Sequence, residues 1–405
     1  MKIYLPKLEV PRITAWRVIL AIILAVGLYS TAVRFYYGLG TVTHLSDGFP
    51  WGVWVGFDVF CGVALAAGGF TLACVVYIFK IEKYRPIIRP TILTAFLGYI
   101  LVAVALIYDL GKPWNMVNVM VFYNPHSVMF EVAWCVILYL TVLALEFSPV
   151  VLEKFGFHRL ERLVHFFIIP LVILGVILST LHQSSLGTLF VIMPNKLHPL
   201  WYSMFLPVFF YLSAIAVGIS MVIFESYLSH RFFKKSLEAG LLRNLGRVNV
   251  VIIAVYLMIR FLDLMSNDAL KYIFAGTTES WLFNLEILGG FVLPMIMFAS
   301  RRVRESKSGL FISALLVVLG VILNRLNVSI TGMAASYTAT YFPSWMEVSV
   351  SIFIVAIGFI SFAIAVRFFE IFPASREESP ARAAVRVEDV DIKVVTEGEV
   401  KAVQR

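Results

Sequence analysis

The sequence predicts an all-α integral membrane protein, and three observations carry that prediction. Of its 405 residues, 60% are hydrophobic and 14% charged, and the mean hydropathy of +0.89 exceeds that of soluble globular domains. Apolar runs long enough to cross a bilayer recur along the chain. Lys and Arg are concentrated in alternate connections, so the net charge of +8 indicates membrane topology rather than nucleic-acid binding.

Ten apolar runs predict ten transmembrane helices within one domain, residues 1–371. The runs are 14–35, 51–79, 89–111, 128–148, 163–185, 203–227, 248–266, 281–299, 309–327 and 345–369. The remaining residues, 372–405, are charged and, after Phe372, contain no aromatic residue. This composition predicts a disordered cytoplasmic tail.

The Lys and Arg distribution predicts the orientation of the chain. The N-terminal segment and the even-numbered connections hold twenty of these residues, whereas the other connections hold only Lys112, Lys196 and Lys271. By the positive-inside rule both termini are cytoplasmic, which places the protein in a prokaryotic inner membrane. The first apolar run is too long for a signal-peptide core, so we expect the first helix to be retained.

The second run carries Asp58 and then a series of small residues from Gly62 to Gly69. A carboxylate at this depth costs several kcal/mol unless it has a partner or a proton. The small residues let a neighbouring helix or a flat ligand approach the backbone. Two interpretations stay open: a proton-handling carboxylate beside a ligand slot, and a structural aspartate bonded to a neighbouring helix.

A weak internal repeat relates spans 3–4 to spans 7–8. Asp109 and Glu131 of the first copy align with Asp263 and Glu286 of the second, while Asp58 aligns with a proline. The repeat predicts two four-helix bundles, spans 2–5 (51–185) and spans 6–9 (203–327), with spans 1 and 10 at their flanks. Because the second copy lacks the aspartate, we expect the chemistry to reside in the first bundle.

Most ionisable residues within the spans fall in the outer half of the membrane. They are Asp58, Asp109, Glu131, His182, Arg260, Asp263, Glu286, Arg325 and Glu347. Arg260 and Asp263 are one helical turn apart and are expected to neutralise each other. The concentration of the whole set on one side predicts a functional site near the outer face.

The chain is not expected to hold a redox centre of its own. Its two intramembrane histidines, His165 and His182, lie on one span at opposite sides of the membrane, so neither has a partner for a bis-histidine haem. Cys61, Cys74 and Cys135 form no CxxC pair, and iron–sulfur clusters usually require four thiolates. We therefore predict neither haem nor iron–sulfur cluster in this chain.

A lipid-soluble quinone is the remaining redox carrier, and its carbonyls need hydrogen-bond donors and a source of protons. The stretch HQSSLG supplies His182, Gln183 and Ser184 at the end of span 5, and Asp58 and Asp109 lie at similar depth. A histidine and a carboxylate can supply both requirements. We predict catalytic roles for Asp58, Asp109 and His182; the glycine of HQSSLG also predicts the end of a helix.

The outer connections are long, nearly uncharged and aromatic. Their tryptophans are Trp51, Trp54, Trp114, Trp201, Trp281 and Trp345. An interfacial aromatic belt explains them in part. Their unusually apolar composition also predicts a docking surface for a partner protein.

Several blocks resemble the NrfD/polysulfide-reductase membrane subunits over about residues 14–370. The blocks are PWGVWVGFDVFCGVALAAGGF, RPTILTAFLGY, YDLGKPWN, FEVAWC and LHQSSLGTLFVIMPNKLHPLWYS, and they are most similar to the ten-helix branch with HybB-type hydrogenase and DsrP-like subunits. The resemblance implies a subunit of a larger redox complex that exchanges electrons between menaquinone or ubiquinone and a periplasmic, ferredoxin-like iron–sulfur subunit. It also implies a quinone pocket near the outer face, formed by Asp58, Asp109, Glu131, His182 and Gln183, with Ser184 beside them.

Two other functions are compatible with the sequence. A secondary transporter of a small anion would use Arg260 and Arg325 and would have helices broken near mid-membrane in both halves. A membrane anchor without a quinone site would use every polar residue for assembly.

Overall fold

The computed structural model describes residues 14–233 and 238–372, which contain ten helices long and apolar enough to span a membrane. They are α1 Ala15–Tyr37, α2 Trp54–Ile78, α3 Glu82–Asp109, α4 Val128–Phe155, α5 His158–Val191, α6 Leu206–Phe233, α7 Ala239–Ser266, α8 Thr278–Ala299, α9 Lys307–Ala334 and α10 Trp345–Phe368. The predicted ten-helix fold is confirmed. Apart from Phe372, the predicted tail lies outside the described residues.

Several helices extend well beyond the apolar runs that predicted them. Helix α7 begins at Ala239 rather than at 248, and α9 ends at Ala334 rather than at 327. In the headgroup region charged side chains are tolerated, while the backbone still gains by continuing its helical hydrogen bonds. Hydropathy alone therefore underestimates the length of these helices.

Helices α2 and α6 form the centre of the molecule, with 72% and 67% of their apolar windows buried, against 22% for α1. Helix α2 packs on α3, α5 and α6, and α4 packs on α3 and α5. Helix α6 packs on α7 and α9, and α8 packs on the same two helices. Helices α1 and α10 pack on each other, and α10 also packs on α3. This packing follows the predicted arrangement of two bundles with two flanking helices.

Glycines allow two pairs of helices to meet backbone to backbone. A Cβ atom added to Gly218 of α6 would lie 2.7 Å from the backbone nitrogen of Gly68 in α2. A Cβ atom added to Gly290 of α8 would lie 2.3 Å from the Cα of Gly320 in α9. Small residues at such crossings allow the close packing that holds membrane helices together.

Three of the spanning helices contain π-helical turns. These are Trp54–Cys61 and Cys74–Ile78 in α2, Leu285–Val292 in α8 and Asn327–Thr331 in α9. Such turns redirect side chains and often occur at functional sites. Asp58 and Glu286 both lie on them, so the π-helical turns set where these two carboxylates point.

The connections divide the surface into two faces. The basic face carries the connections α2–α3, α4–α5, α6–α7 and α8–α9, and the opposite, aromatic face carries the others. On the aromatic face the connection 192–205 folds inward: the backbone N–H of His198 donates to the carbonyl of Gly332 at 2.7 Å, and Leu200 and Trp201 are fully buried. The connection 110–127 remains exposed.

Candidate functional site

Helix α5 continues through HQSSLG, so the predicted helix end at Gly187 is wrong. The helix extends to Val191. A Cβ atom added to Gly187 would lie 2.6 Å from the backbone of Leu206, at the start of α6. The glycine therefore permits close contact between α5 and α6 instead of terminating the helix.

His182 is the only buried histidine among the seven, all of which lie in the described residues. Its ring lies against Tyr99 of α3, with ring centroids 6.0 Å apart. The backbone of Val132 in α4 is close enough to interact with the ring. Neither ring nitrogen, however, meets hydrogen-bond geometry with any described residue.

Four more residues of the first bundle surround the same region with unpaired polar atoms. Tyr99 and Tyr139 meet edge to face at 4.7 Å, and both hydroxyls are near Ser179 without hydrogen-bond geometry. The Nε2 of Gln183 donates to the carbonyl of Val63 at 3.0 Å, which leaves its Oε1 unpaired.

We call Tyr99, Tyr139, Ser179, His182 and Gln183 the unpaired cluster, because it holds six buried polar atoms without a partner among the described residues. A native core pairs almost all of its buried polar atoms. Each unpaired atom costs about 1–3 kcal/mol. A concentration of such atoms indicates a place where water or a polar ligand binds.

Glu131 links the unpaired cluster to the aromatic face. The hydroxyl of Ser185 donates to Glu131 Oε1 at 2.7 Å, and Glu131 itself is exposed. Ser185 follows His182 by three residues and lies on the same side of α5. Ser184 is not part of this contact, because its hydroxyl donates to the carbonyl of Thr180 at 2.8 Å within α5.

Asp58 and Asp109 belong to a second group, the acidic cluster, formed by Arg34, Asp58, Asp109, Glu347 and Ser351. Asp58 accepts a hydrogen bond from the hydroxyl of Ser351 at 2.5 Å and lies within electrostatic range of Asp109. The Oδ1 of Asp109 is buried without a partner among the described residues. Asp109 thus lies near the other two carboxylates and near the guanidinium of Arg34.

Arg34 uses its N–H groups on the backbone rather than on a carboxylate. Its Nε donates to the carbonyl of Tyr108 at 2.8 Å, and its Nη2 to that of Leu110 at 2.6 Å. It therefore acts on Asp109 through its charge alone. Sequence reasoning missed Arg34 and Ser351, since the flanking helices α1 and α10 had no assigned role.

Glu347 is the best-bonded carboxylate of the acidic cluster. It accepts hydrogen bonds from the hydroxyl of Tyr341 at 2.7 Å and from the backbone N–H groups of Ser344 and His44 at 2.7 and 3.2 Å. Burial, together with the bond to Glu347, raises the pKa of Tyr341, which keeps its hydroxyl a donor. Asp58 and Asp109 are therefore the members with few partners.

The predicted site residues thus form two groups that share α2. Asp58 faces α10, while the carbonyl of Val63 faces α5. Across residues 14–233 and 238–372, no hydrogen bond or ion pair joins the unpaired cluster to the acidic cluster. The assignment of a single site to all of these residues stays a prediction.

Two buried carboxylates of the second bundle, Glu286 and Asp263, have side-chain partners. Glu286 accepts hydrogen bonds from the side chains of Trp201, Asn324 and Asn327 at 3.0, 2.7 and 2.8 Å. The predicted pairing of Arg260 with Asp263 is confirmed, with Nη1 to Oδ2 at 3.8 Å.

Several known proteins similar to this chain are named as subunits of redox enzymes. A protein of Nitratidesulfovibrio vulgaris is 43% identical over 84% of this chain and 90% of its own length. The probable Ni/Fe-hydrogenase 2 b-type cytochrome subunit of Escherichia coli is 37% identical over 86% and 90%. The integral membrane subunit of the N. vulgaris menaquinone reductase is 26% identical over 89% and 92%.

The name of the E. coli relative denotes a haem protein, but the residues of this chain do not fit a bis-histidine haem. His182 has no second buried histidine facing it. His158 and His165 are exposed on the basic face. In the part of the chain that the structure describes, no group of three or more His, Cys, Asp or Glu residues is placed to hold a metal ion.

One family model accounts for most of the chain. The model described as polysulphide reductase, NrfD, matches residues 41–336, which include α2 to α9 and both clusters except Arg34, Glu347 and Ser351. The resemblance found in the sequence motifs is thereby confirmed. This multi-pass membrane protein belongs to the NrfD family.

Proposed function

We propose that the chain exchanges electrons between the membrane quinone pool and an iron–sulfur partner protein that docks on the aromatic face. The observation that carries the proposal is the unpaired cluster. A quinone offers two carbonyl oxygens to hydrogen-bond donors, and it supplies two-electron, two-proton chemistry when bound. Membership in a family that includes a menaquinone reductase subunit supports the choice of ligand.

In this proposal the unpaired cluster binds and orients the quinone headgroup. A ring nitrogen of His182 and the hydroxyls of Tyr99 and Tyr139 can each donate a hydrogen bond to a carbonyl. Gln183 is fixed by its bond to the Val63 carbonyl, so its free Oε1 has a defined direction from which to accept a bond from a hydroxylated headgroup. The surrounding apolar helices exclude bulk water and thereby strengthen each of these interactions.

Protons need a route between this site and water, and Ser185 with the exposed Glu131 offers one. The Ser185–Glu131 hydrogen bond leads from His182 towards the aromatic face. The acidic cluster supplies a second set of proton-handling groups. In apolar surroundings with few partners, Asp58 and Asp109 are stable when protonated or hydrated, which suits a carboxyl group that relays protons.

The proposed partner surface is the exposed connection 110–127. Trp114, Phe122 and Tyr123 are 70%, 69% and 77% exposed. They lie outside the spanning helices, on or beside two short helical turns, which favours docking over a purely interfacial belt. The Lys and Arg distribution supports a periplasmic position for this face, and we expect a ferredoxin-like, multi-cysteine partner there.

The other two functions receive less support. A transporter built from the repeat would have interrupted helices in both halves; α2 is interrupted at Ala66–Ala67, but its counterpart α6 is continuous. Arg260 and Arg325 already donate to the backbone carbonyls of Leu200 and Phe210. A pure anchor would have no use for the unpaired cluster.

The test is a His182→Ala variant, purified with its co-purifying subunits and compared with a His158→Ala control, which changes an exposed histidine on the basic face. We expect the His182 variant to lose bound quinone and its quinone-linked turnover to fall at least about tenfold. Turnover of the complex with an artificial dye should be unchanged. Normal assembly with unchanged quinone content and turnover would contradict the proposal.

The same preparation tests the cofactor prediction. We expect extractable quinone and no haem absorbance that follows this chain when the subunits are separated. A haem spectrum traced to this subunit would refute the argument from histidine positions.

A further inference from the structure

We propose that a cleft on the basic face binds the phosphate headgroup of an anionic phospholipid. The cleft has a volume of about 710 Å³ and lies between the start of α7 and the α8–α9 connection. Three arginines line it, Arg243, Arg247 and Arg301, together with Glu238 and Glu305. The site lies in the second bundle, away from both clusters described above.

Two of the arginines have charge available for a ligand. Arg243 and Arg247 are one turn apart on α7, so their side chains lie on the same face. Arg243 donates to the carbonyl of Ala239 at 3.3 Å, and Arg247 to Asn244 Oδ1 at 3.5 Å. Among the described residues, neither has a carboxylate within ion-pair distance, whereas a bidentate phosphate contact is the geometry that guanidinium groups favour.

The third arginine adds to the positive charge of the cleft. Arg301 pairs with Glu305 at 2.8 Å; this bond and the charges of Arg301, Arg243 and Arg304 lower the pKa of Glu305. Arg243 and Arg301, from two different elements, are therefore near the same carboxylate. Helix α7 has 28 residues and no acidic residue in its first turn, but its N-cap residue is Glu238, whose carboxylate offsets the dipole at this end of the helix.

The surface next to the cleft distinguishes a lipid from a soluble anion. From Arg247 the same face of α7 continues with Val251, Val255 and Met258, which are 63%, 37% and 58% exposed. On neighbouring α8, Ile296 is 58% exposed. A basic headgroup site followed directly by an exposed apolar stripe matches the two parts of a phospholipid. Basic pockets between membrane helices on the cytoplasmic side bind anionic headgroups in this way.

The test compares Arg243→Gln/Arg247→Gln with the control Arg231→Gln/Arg302→Gln, which removes the same charge from the same face outside the cleft. The purified complex is reconstituted in nanodiscs of phosphatidylcholine with or without phosphatidylglycerol. Retained lipid is counted by native mass spectrometry, and the unfolding temperature is measured. We expect phosphatidylglycerol to stabilise the wild-type complex and the control, and lipid retention to fall at least about fivefold in the cleft variant.

Equal retention in the cleft variant and the control would overturn the proposal, because it would show that only general surface charge matters. Stabilisation by inorganic phosphate equal to that by phosphatidylglycerol would overturn it in favour of a soluble anion. Should the glutamine variant not assemble, Arg243→Lys/Arg247→Lys keeps the charge without the planar fork, and we expect reduced retention there as well. Quinone-linked turnover should be unchanged, which separates this test from that of the proposed function.

Discussion

In the second bundle the carboxylate of Glu286 accepts three hydrogen bonds. In the first bundle, neither ring nitrogen of His182 forms a hydrogen bond with a described residue. Both side chains are fully buried. The contrast extends to their surroundings. Among the described residues, the unpaired cluster holds six buried polar atoms without a hydrogen-bond partner. The second bundle holds three such atoms, the Nε atoms of Arg260 and Arg325 and the Oδ1 of Asn249. The two arginines also lie over aromatic rings, at 4.8 Å from Phe209 and 3.7 Å from Phe210.

This difference indicates different roles for two bundles of similar architecture. A saturated network specifies one arrangement of helices and holds it. A set of unpaired atoms at about 1–3 kcal/mol each is costly on its own, so it is better understood as a site whose partners come and go. We therefore expect the second bundle to be the rigid half, while under the proposed function the first bundle is the half that would exchange ligand and protons.

The largest expected difference in the free energy of unfolding is between variants of the two aligned carboxylates of the repeat, Glu286 and Glu131. Glu286→Gln turns one acceptor oxygen into a donor that faces donors, and we expect it to destabilise the protein by about 3 kcal/mol. Glu131→Gln affects an exposed group with one hydrogen bond, so its stability should change by less than about 1 kcal/mol. Thermal unfolding of the two purified variants in detergent measures the difference.

Quinone-linked turnover should show the reverse order, with the larger loss in Glu131→Gln after correction for the amount of folded protein. Equal unfolding temperatures for the two variants would mean that the bundles do not differ in the way their hydrogen bonds indicate.

Helix packing provides a second comparison, in which the expected difference in stability is intermediate. In Gly290→Ala of the second bundle, the new methyl group would meet the backbone of Gly320 at 2.3 Å. Because the backbone of Gly320 cannot move aside as a side chain can, we expect the free energy of unfolding to fall by about 2 kcal/mol. In Gly175→Ala of the first bundle the atom nearest to the new methyl group is a side-chain carbon of Val142 at 3.2 Å. This side chain can adjust, so we expect no loss of stability. Detergent unfolding checks both, and equal losses would contradict the argument.

Much of the fold could be predicted from the sequence, because hydropathy and charge report directly on the bilayer. The ten spans follow from this, and so does the ion pair of Arg260 with Asp263, since helical spacing puts those side chains together. The cluster partners could not be predicted. Arg34 bonds to the backbone of α3, and Ser351 reaches Asp58 from α10; both contacts depend on how the flanking helices pack, which local sequence does not encode.

The glycine of HQSSLG shows the same limit at a single residue. By local propensity a glycine after a helical run predicts a helix end. Gly187 instead lies inside α5, where the absence of a side chain lets the backbone of Leu206 in α6 come close. The predicted site residues were chosen by chemical type, and Tyr99, Tyr139 and Ser179 of the unpaired cluster were not among them. Their chemical types were visible in the sequence, while their division into two clusters depends on the direction each side chain takes from α2 and α5.

The smallest expected effect comes from the best-matched pair of substitutions, Ser213→Ala and Ser179→Ala. Both serines are fully buried, so both variants remove one hydroxyl from the core. Ser213 donates to the carbonyl of Phe209 at 2.6 Å and accepts from Arg325 at 2.8 Å; its loss should destabilise the second bundle by about 1 kcal/mol. Among the described residues no group meets hydrogen-bond geometry with the Ser179 hydroxyl, so its removal should leave the unfolding temperature of the quinone-free protein unchanged or slightly raised. Added quinone should then stabilise Ser179→Ala less than wild type and Ser213→Ala as much as wild type, because only Ser179 lies where the ligand is expected to bind.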